Sequence, residues 1–274
     1  MDVEYASGHY YFYEINSGIW KKGSDRQEPI LYYQMEKSRN WLNGRSLRTG
    51  HEGKTLIINH NLSTLTILDL ISSPPASTVL SKSFGTKIMD FTTYGQKSER
   101  ICLITADGFI ACYSCTLSIT PIVRAIQKCS IRLIKSRSEI AFSVNICPRN
   151  QFIVAQTCNS KTWKVSRLKL LVLAENEIYE KASLDLEKVN LKYFRALEIF
   201  GYFGPLVVVS GLTREENSQL VTFCYNSEEG SFEEVKRLRK TRLKVDKPLK
   251  MVKVEDGLLT SDRAGNLTVI RYFF

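Results

Sequence analysis

The sequence predicts an all-β protein assembled from repeated four-stranded antiparallel units. Short runs rich in β-branched and aromatic residues alternate with turn residues along the chain. Apolar residues rarely keep the i, i+3, i+4, i+7 spacing of an amphipathic helix. Paired runs recur at a regular interval, which is typical of a protein built from repeats.

Five pairs of neighbouring runs are predicted to be β-hairpins. In the second pair, Asp107 and Gly108 form the link, and this dipeptide tolerates the positive φ of a tight turn. The pairs are residues 55–59 with 65–70, 101–105 with 109–113, 151–156 with 163–173, 206–210 with 219–225, and 257–261 with 267–274. Their turns lie about 45 to 55 residues apart, a period expected for propeller blades or a related repeat.

Flanking runs can complete a four-stranded meander around each hairpin. The clearest are residues 87–91 and 121–126 around the second hairpin and 193–200 and 231–235 around the fourth. The last unit offers only three runs, within residues 250–273. We therefore expect residues 10–15 to be its fourth strand, because pairing the two chain ends would remove exposed sheet edges.

Three segments resemble WD repeats. Residues 105–113 (Thr-Ala-Asp-Gly-Phe-Ile-Ala-Cys-Tyr) and 260–272 (Thr-Ser-Asp-Arg-Ala-Gly-Asn-Leu-Thr-Val-Ile-Arg-Tyr) are similar to the second-to-third strand stretch of that family. Residues 64–70 resemble its third strand, with Leu68-Asp69 in place of Trp-Asp. The chain contains no Trp-Asp dipeptide, and its two Gly-His pairs do not stand at the family's usual distance before a blade. The likeness is therefore to a degenerate WD-repeat protein, and a different propeller family would fit the same pattern.

The resemblance implies one β-propeller domain over residues 1–274, with five to seven blades. Five units can be counted, and residues 18–50 could hold a further partial blade, with 29–34 as a strand. We expect the ring to be closed by pairing of the N- and C-terminal strands or completed by a blade from a partner.

Composition favours an intracellular protein of the nucleus or cytoplasm. With 274 residues, 43% of them hydrophobic, the chain can bury a substantial core. Its longest apolar runs, such as residues 205–209, are far too short to cross a bilayer about 30 Å thick. The first residues lack the basic and apolar regions of a secretory signal. Seven cysteines, an odd number set mostly in apolar runs, indicate buried free thiols.

No catalytic, cofactor or metal site is predicted. His9, His51 and His60 belong to no metalloprotease or hydrolase motif, and no glycine-rich phosphate loop occurs. Cys112 and Cys115 have CxxC spacing, but no second pair exists, and side chains three apart on a strand face opposite sides. We therefore expect a protein that is not an enzyme, and keep a hydrolase on a propeller scaffold as an alternative.

One basic segment stands out in a chain with a net charge of +10. Six of the nine residues from 236 to 244 are cationic: Lys236, Arg237, Arg239, Lys240, Arg242 and Lys244. The segment continues through Lys247 and Lys250, so that residues 236–250 could bind nucleic acid, anionic lipid or an acidic protein, or serve in nuclear import. A solvated edge strand, whose charge discourages aggregation, explains it equally well.

Two further segments are candidate surfaces. Residues 124–137 alternate cations with isoleucine and leucine and are interpreted as an amphipathic loop or short helix. Aromatic residues cluster near the N-terminus and indicate either an interface or strand packing; they are Tyr5, Tyr10, Tyr11, Phe12, Tyr13, Trp20, Tyr32, Tyr33 and Trp41.

The function that fits these observations is that of a non-catalytic scaffold or adaptor. Its expected partners are other protein subunits of a larger complex, and nucleic acid or acidic proteins are a second class of partner.

Overall fold

The computed structural model describes residues 2–14, 17–23, 28–34, 47–50, 53–59, 63–71, 77–79, 86–95, 100–116, 124–134, 136–147, 152–162, 165–186, 191–201, 205–213, 218–234, 250–254, 257–261 and 267–271. For residues 2–3, 49, 77–79, 115–116, 124–125, 147, 165, 191–201, 205–213, 218–222, 250–254, 257–261 and 267–271 it describes the backbone alone.

The first compact unit, Met1–Leu133, contains three four-stranded antiparallel sheets. Sheet 1 consists of β1 (Asp2–Ala6), β2 (His9–Glu14), β3 (Gly18–Gly23) and β4 (Ile30–Gln34). Sheet 2 consists of β5 (Leu47–Gly50), β6 (Thr55–Ile58), β7 (Thr66–Asp69) and β8 (Ser77–Val79). Sheet 3 consists of β9 (Ile88–Tyr94), β10 (Arg100–Thr105), β11 (Phe109–Thr116) and β12 (Arg124–Arg132).

The second compact unit, Ile134–Phe274, contains three more antiparallel sheets. Sheet 4 consists of β13 (Glu139–Cys147), β14 (Phe152–Asn159), β15 (Val165–Leu173) and β16 (Ile178–Asp185). Sheet 5 consists of β17 (Leu191–Gly201), β18 (Pro205–Thr213), β19 (Ser218–Asn226) and β20 (Ser231–Glu234). Sheet 6 has three strands among the described residues: β21 (Lys250–Val254), β22 (Gly257–Ser261) and β23 (Leu267–Arg271).

Strands pair with their neighbours in chain order in every sheet, so each sheet is a meander. All five predicted hairpins are confirmed, and each forms the second and third strands of its sheet. Apolar residues of the central strands are almost completely buried, as in β10, where Ile101 to Ile104 lie in the core. Burial of these β-branched and leucine side chains supplies the main driving force for stacking the sheets.

The Asp107-Gly108 link forms the tight turn that its sequence predicts. Gly108 has a φ of +86°, which only glycine adopts without strain. Its amide donates to the carbonyl of Thr105 at 2.9 Å, and the Thr105 hydroxyl donates to the Asp107 carboxylate. This turn fixes the register of β10 and β11.

The sheets of each unit stack face to face with their first strands side by side. In the first unit β5 contacts both β1 and β9, and in the second unit β17 contacts both β13 and β21. Between sheets 1 and 2 lies a core that includes Tyr11, Ile19 and Leu56, and between sheets 4 and 5 one that includes Val154 and Phe223. These stacks are the arrangement of consecutive propeller blades.

One ion pair joins the first strands of sheets 1 and 2. Arg48 Nη1 of β5 lies 2.9 Å from Glu4 Oε1 of β1, and both side chains are almost buried. Arg48 Nε also donates to the carbonyl oxygen of Phe91 in β9, at 3.4 Å. Arg48, on the first strand of sheet 2, therefore links the first strands of sheets 1 and 3.

Of two predictions about the N-terminal strands, one was wrong and one is confirmed. Residues 10–15 were expected to complete the last sheet, but β2 pairs with β1 on one edge and with β3 on the other, so both its edges are occupied. The strand predicted at residues 29–34 is confirmed as β4, and residues 18–34 supply two strands, β3 and β4, of a sheet beyond the five units counted in the sequence. The described residues thus form six sheets, within the predicted range of five to seven.

The cationic stretch 124–137 is not an amphipathic loop or helix over most of its length. Residues Arg124–Arg132 form β12, which pairs with β11 along its length. The pairing shifts between Cys112 and Tyr113, where Lys128 is the extra residue of a β-bulge. A bulge interrupts the alternation of buried and exposed positions, which explains why only the run 121–126, at the start of this strand, was predicted to be extended.

No helix long and apolar enough to cross a membrane is present in the part of the chain that the structure describes.

Candidate protein-interaction surface

Strand β2 divides the N-terminal aromatic residues between two faces of sheet 1. Tyr11 and Tyr13 are buried in the core against sheet 2. Tyr10 and Phe12 alternate with them and point to the opposite face, because successive side chains of a strand face opposite sides. The sequence left open whether this cluster is core or interface, and the structure assigns part of it to each.

Strand pairing places further apolar residues on the face of Tyr10 and Phe12. Tyr5 of β1 lies directly opposite Tyr10, and Trp20 of β3 lies directly opposite Phe12. Leu31 of β4 is in turn opposite Trp20. Directly opposed residues share a face. We call this set the aromatic face; its members are Tyr5, Tyr10, Phe12, Trp20 and Leu31.

The aromatic face remains accessible to solvent in large part. Tyr5 is 59% exposed, Leu31 44% and Tyr10 39%, whereas Phe12 and Trp20 are half-buried. Ring centroids of Tyr5 and Tyr10 lie 5.0 Å apart, and those of Tyr10 and Phe12 lie 6.5 Å apart. Neighbouring rings therefore support one another and form a contiguous surface rather than isolated exposed side chains.

A two-residue turn sets the position of the outermost pair. Ser7 and Gly8 both have positive φ, 48° and 77°, as a type I′ hairpin requires. The Ser7 hydroxyl donates to the carbonyl of Gly53 at 2.9 Å, and His9 Nδ1 lies 2.8 Å from the Ser7 carbonyl. The turn is therefore tied to the neighbouring segment, and it holds Tyr5 against Tyr10.

Polar groups fix the other end of the face. The Trp20 indole nitrogen Nε1 donates hydrogen bonds to two acceptors, Glu14 Oε2 at 3.0 Å and Ser17 Oγ at 3.1 Å. Lys22 lies directly opposite Tyr10. Trp20 is thus held in one orientation, and a cation and a carboxylate border the apolar residues. A rigid aromatic centre with a polar rim is typical of protein interfaces.

The buried side of the cluster is structural. The Tyr11 ring packs edge-on to the Tyr32 ring, with centroids 5.4 Å apart. Burial, and to a smaller extent the nearby Tyr32, raises the pKa of Tyr11 to about 12. Its hydroxyl therefore stays protonated through the physiological range. Tyr33 also packs against this core, and Trp41 lies outside the described residues.

The basic residues predicted to bind a partner or anion lie outside the described residues, so their role stays a prediction. They are Lys236, Arg237, Arg239, Lys240, Arg242 and Lys244. His51 and His60 also lie outside the described part of the chain, as does the side chain of Cys115, so its relation to Cys112 is likewise untested.

Sequence reasoning identified the aromatic residues but not the face they form. That face depends on the pairing of β1 with β2, and residues 2–6 were not recognised as a strand. The two-residue Ser7-Gly8 link between an aromatic-rich run and Val3-Glu4-Tyr5 was the signal that could have revealed it.

Consecutive meander sheets stacked with their first strands together define the chain as a β-propeller, as its WD-repeat-like segments predicted. One solved structure that it resembles is the β-propeller domain of Cps50 (Swd1) from Myceliophteria thermophila. The TM-score is 0.59, with 8% sequence identity, over 97% of this chain and 80% of that one. No protein-family model matches the sequence, and no curated protein is significantly similar to it. The likeness at this identity establishes the fold alone.

Proposed function

We propose that this propeller is a non-catalytic scaffold that holds another protein on the aromatic face. The observation that carries the proposal is the exposed, contiguous set of Tyr5, Tyr10 and Leu31 beside the oriented Trp20. Tyrosine and tryptophan are enriched among the residues that dominate binding energy at protein interfaces.

The chemistry of the face favours a protein partner over a small molecule or an anion. Its centre is apolar. In the described part of its border, one cation, Lys22, is balanced by one carboxylate, Glu14, which does not favour phosphates. Tyr5, Tyr10 and Leu31 are exposed by 39% to 59% on one face of a sheet, whereas a small-molecule site usually surrounds most of its ligand. An apolar patch on the partner, with polar groups at its edge, would complement it.

The proposal assigns no catalytic residue in the described part of the chain. Within those ranges, no three His, Cys, Asp or Glu side chains are placed to hold a metal ion. A fold shared by many proteins does not itself specify a function. The proposal therefore rests on the surface and not on the comparison.

The test compares the proteins that co-purify in stoichiometric amounts from native extract with the wild-type chain and with the double variant Tyr5→Ala/Tyr10→Ala. We expect the double variant to bind its partner at least about tenfold more weakly, since truncating a tyrosine that is a binding hot spot costs about 2 kcal/mol or more. Tyr179→Ala is the matched control, because Tyr179 is 43% exposed on a different sheet.

Thermal unfolding of each variant separates binding from folding. Equal melting temperatures with selective loss of the partner support the proposal. Partners that remain bound at wild-type stoichiometry to the double variant, or a wild-type chain that purifies alone, would contradict it.

A further inference from the structure

Three cysteines lie in one row across the last three strands of sheet 3. Cys112 of β11 is directly opposite Cys102 of β10 on one side and Cys129 of β12 on the other. All three are free and buried. Directly opposed residues of antiparallel strands have Cα atoms about 4.5 to 5.5 Å apart, which lies within the range that a disulfide can span.

The row suits a disulfide better than a metal ion. Adjacent strands are about 4.8 Å apart, so the outer two cysteines of the row are separated by about 10 Å. Three sulfur atoms on such a line do not converge on one ion. Cys112, in the middle, can pair with either neighbour but not with both.

Cys112 and Cys129 are in contact with each other and with further polar groups. The pKa of Cys112 is raised, most of all by hydrogen-bonding contact with Cys102; contact with Cys129 opposes this shift, and burial adds to it. The pKa of Cys129 is also raised, mainly by hydrogen-bonding contact with Cys112 and, to a smaller extent, by burial. The Tyr94 hydroxyl also interacts with the Cys112 thiol. The thiols are therefore protonated at neutral pH, and their ionisation limits any reaction they undergo.

The surroundings of Cys129 make it the most accessible of the three. It lies on β12, the edge strand of sheet 3, next to the bulged residue Lys128. Lys128 and Ser130 are exposed on either side, and Ile126 is 56% exposed. Edge strands and bulged positions open locally at lower cost than central strands. Cys102, by contrast, lies on a central strand.

We propose that Cys112 and Cys129 form an oxidation site, at which hydrogen peroxide produces an intrachain disulfide that fastens the edge strand β12 to β11. The Cys129 thiolate attacks one peroxide oxygen, the O–O bond breaks, and hydroxide leaves. The Cys112 thiolate then attacks the sulfur of the resulting sulfenic acid, and the S–S bond forms as a second hydroxide leaves. The two protons released by the thiols convert both hydroxides to water. Each disulfide therefore consumes one peroxide and yields two water molecules.

The main measurement uses the wild-type chain, so that its outcome does not depend on how a substitution affects folding, and two cysteine variants serve as controls. The protein is treated with hydrogen peroxide, remaining thiols are blocked with N-ethylmaleimide, and the products are digested and identified by mass spectrometry. Trypsin leaves Cys102, Cys112 and Cys115 in one peptide, residues 101–124, and Cys129 in another, residues 129–132. Further cleavage by chymotrypsin after Tyr113 separates Cys112 from Cys115.

The expected product is peptide 129–132 linked to the fragment that carries Cys112. It should form about tenfold faster per pH unit between pH 7 and pH 9, as the thiolate fraction rises. Cys129→Ala should abolish the link, and Cys224→Ala, at a half-buried cysteine of another sheet, should retain it. A bridge between Cys102 and Cys112 as the main product, a link through Cys115, or complete labelling of all thiols would overturn the proposal.

Discussion

Gln156 in β14 is fully buried, yet neither its amide nitrogen nor its amide oxygen has a hydrogen-bond partner among the residues that the structure describes. It lies two residues from Val154, a member of the core between sheets 4 and 5, and shares its face of the strand. An unsatisfied buried amide costs about 1 to 3 kcal/mol. The residue is therefore a local weakness of an otherwise apolar layer.

We predict that Gln156→Met raises the free energy of unfolding by about 1 kcal/mol, because methionine keeps the shape and removes the unpaired polar atoms. Urea denaturation measures the change. The neighbouring Thr157→Val is the control: Thr157 is equally buried, but its hydroxyl bonds to Ser166 Oγ at 3.1 Å. That substitution should lower stability by about 1 kcal/mol. Similar losses in both variants would show that the Gln156 amide is satisfied in solution.

At the scale of the element, the hairpins of this chain depend on a few turn positions. We predict that Gly108→Ala lowers the free energy of unfolding by about 1 to 2 kcal/mol, since a Cβ at a φ of +86° is strained. Gly108→Asn should lose clearly less, because asparagine tolerates this conformation best among the other residues. Chemical denaturation of the three proteins checks the order, and an alanine variant as stable as wild type would mean that the turn rearranges freely.

The central strands of the five hairpins were predictable from sequence, whereas the edge strands were predictable only in part. The predicted runs 87–91, 193–200 and 231–235 overlap β9, β17 and β20, but the run 121–126 covers only the start of β12. Runs such as residues 101–105 are buried on both faces and bounded by turn residues, so their apolar composition shows directly. Strand β12 is exposed along much of its length and carries a bulge. Its residues therefore show neither the apolar composition nor the regular alternation by which a strand is recognised. Strand β2 was recognised as a strand but assigned to the wrong sheet, because alternation within a run does not specify its neighbours.

At the scale of the whole molecule, a net charge of +10 attracts polyanions from any direction. The question is whether residues 236–250 concentrate that attraction. We predict that changing Arg237, Arg239, Lys240 and Arg242 to glutamine reduces the slope of log affinity against log salt for duplex DNA by about 3 to 4. A fluorescence titration at several salt concentrations measures the slope.

The control variant loses the same number of positive charges at exposed positions elsewhere, with glutamine in place of Lys128, Arg137, Lys161 and Lys181. If this second variant loses as much of the slope as the first, net charge alone is responsible, and the segment is not a binding site. An unchanged slope in the first variant would remove the segment from consideration altogether.

The sequence contained the residues of both candidate surfaces but not their relation in space. The basic segment is continuous in sequence, so it could be recognised without a structure. The aromatic face and the cysteine row join residues from three or four strands, and their members are separated by other side chains along the chain. Cys112 is near Cys115 in sequence, but its partners across the sheet are Cys102 and Cys129.

The contacts of Arg48 also determine how the chain could be shortened. This side chain belongs to sheet 2, yet it binds a carboxylate from sheet 1 and a carbonyl oxygen from sheet 3. A fragment that begins after sheet 1 would leave its guanidinium without the counter-charge of Glu4 in a nearly buried position, which is costly. A fragment that ends before β9 would lose its backbone acceptor. A single sheet of this unit therefore cannot be removed without cost, and the compact unit that contains the whole network is residues 1–133.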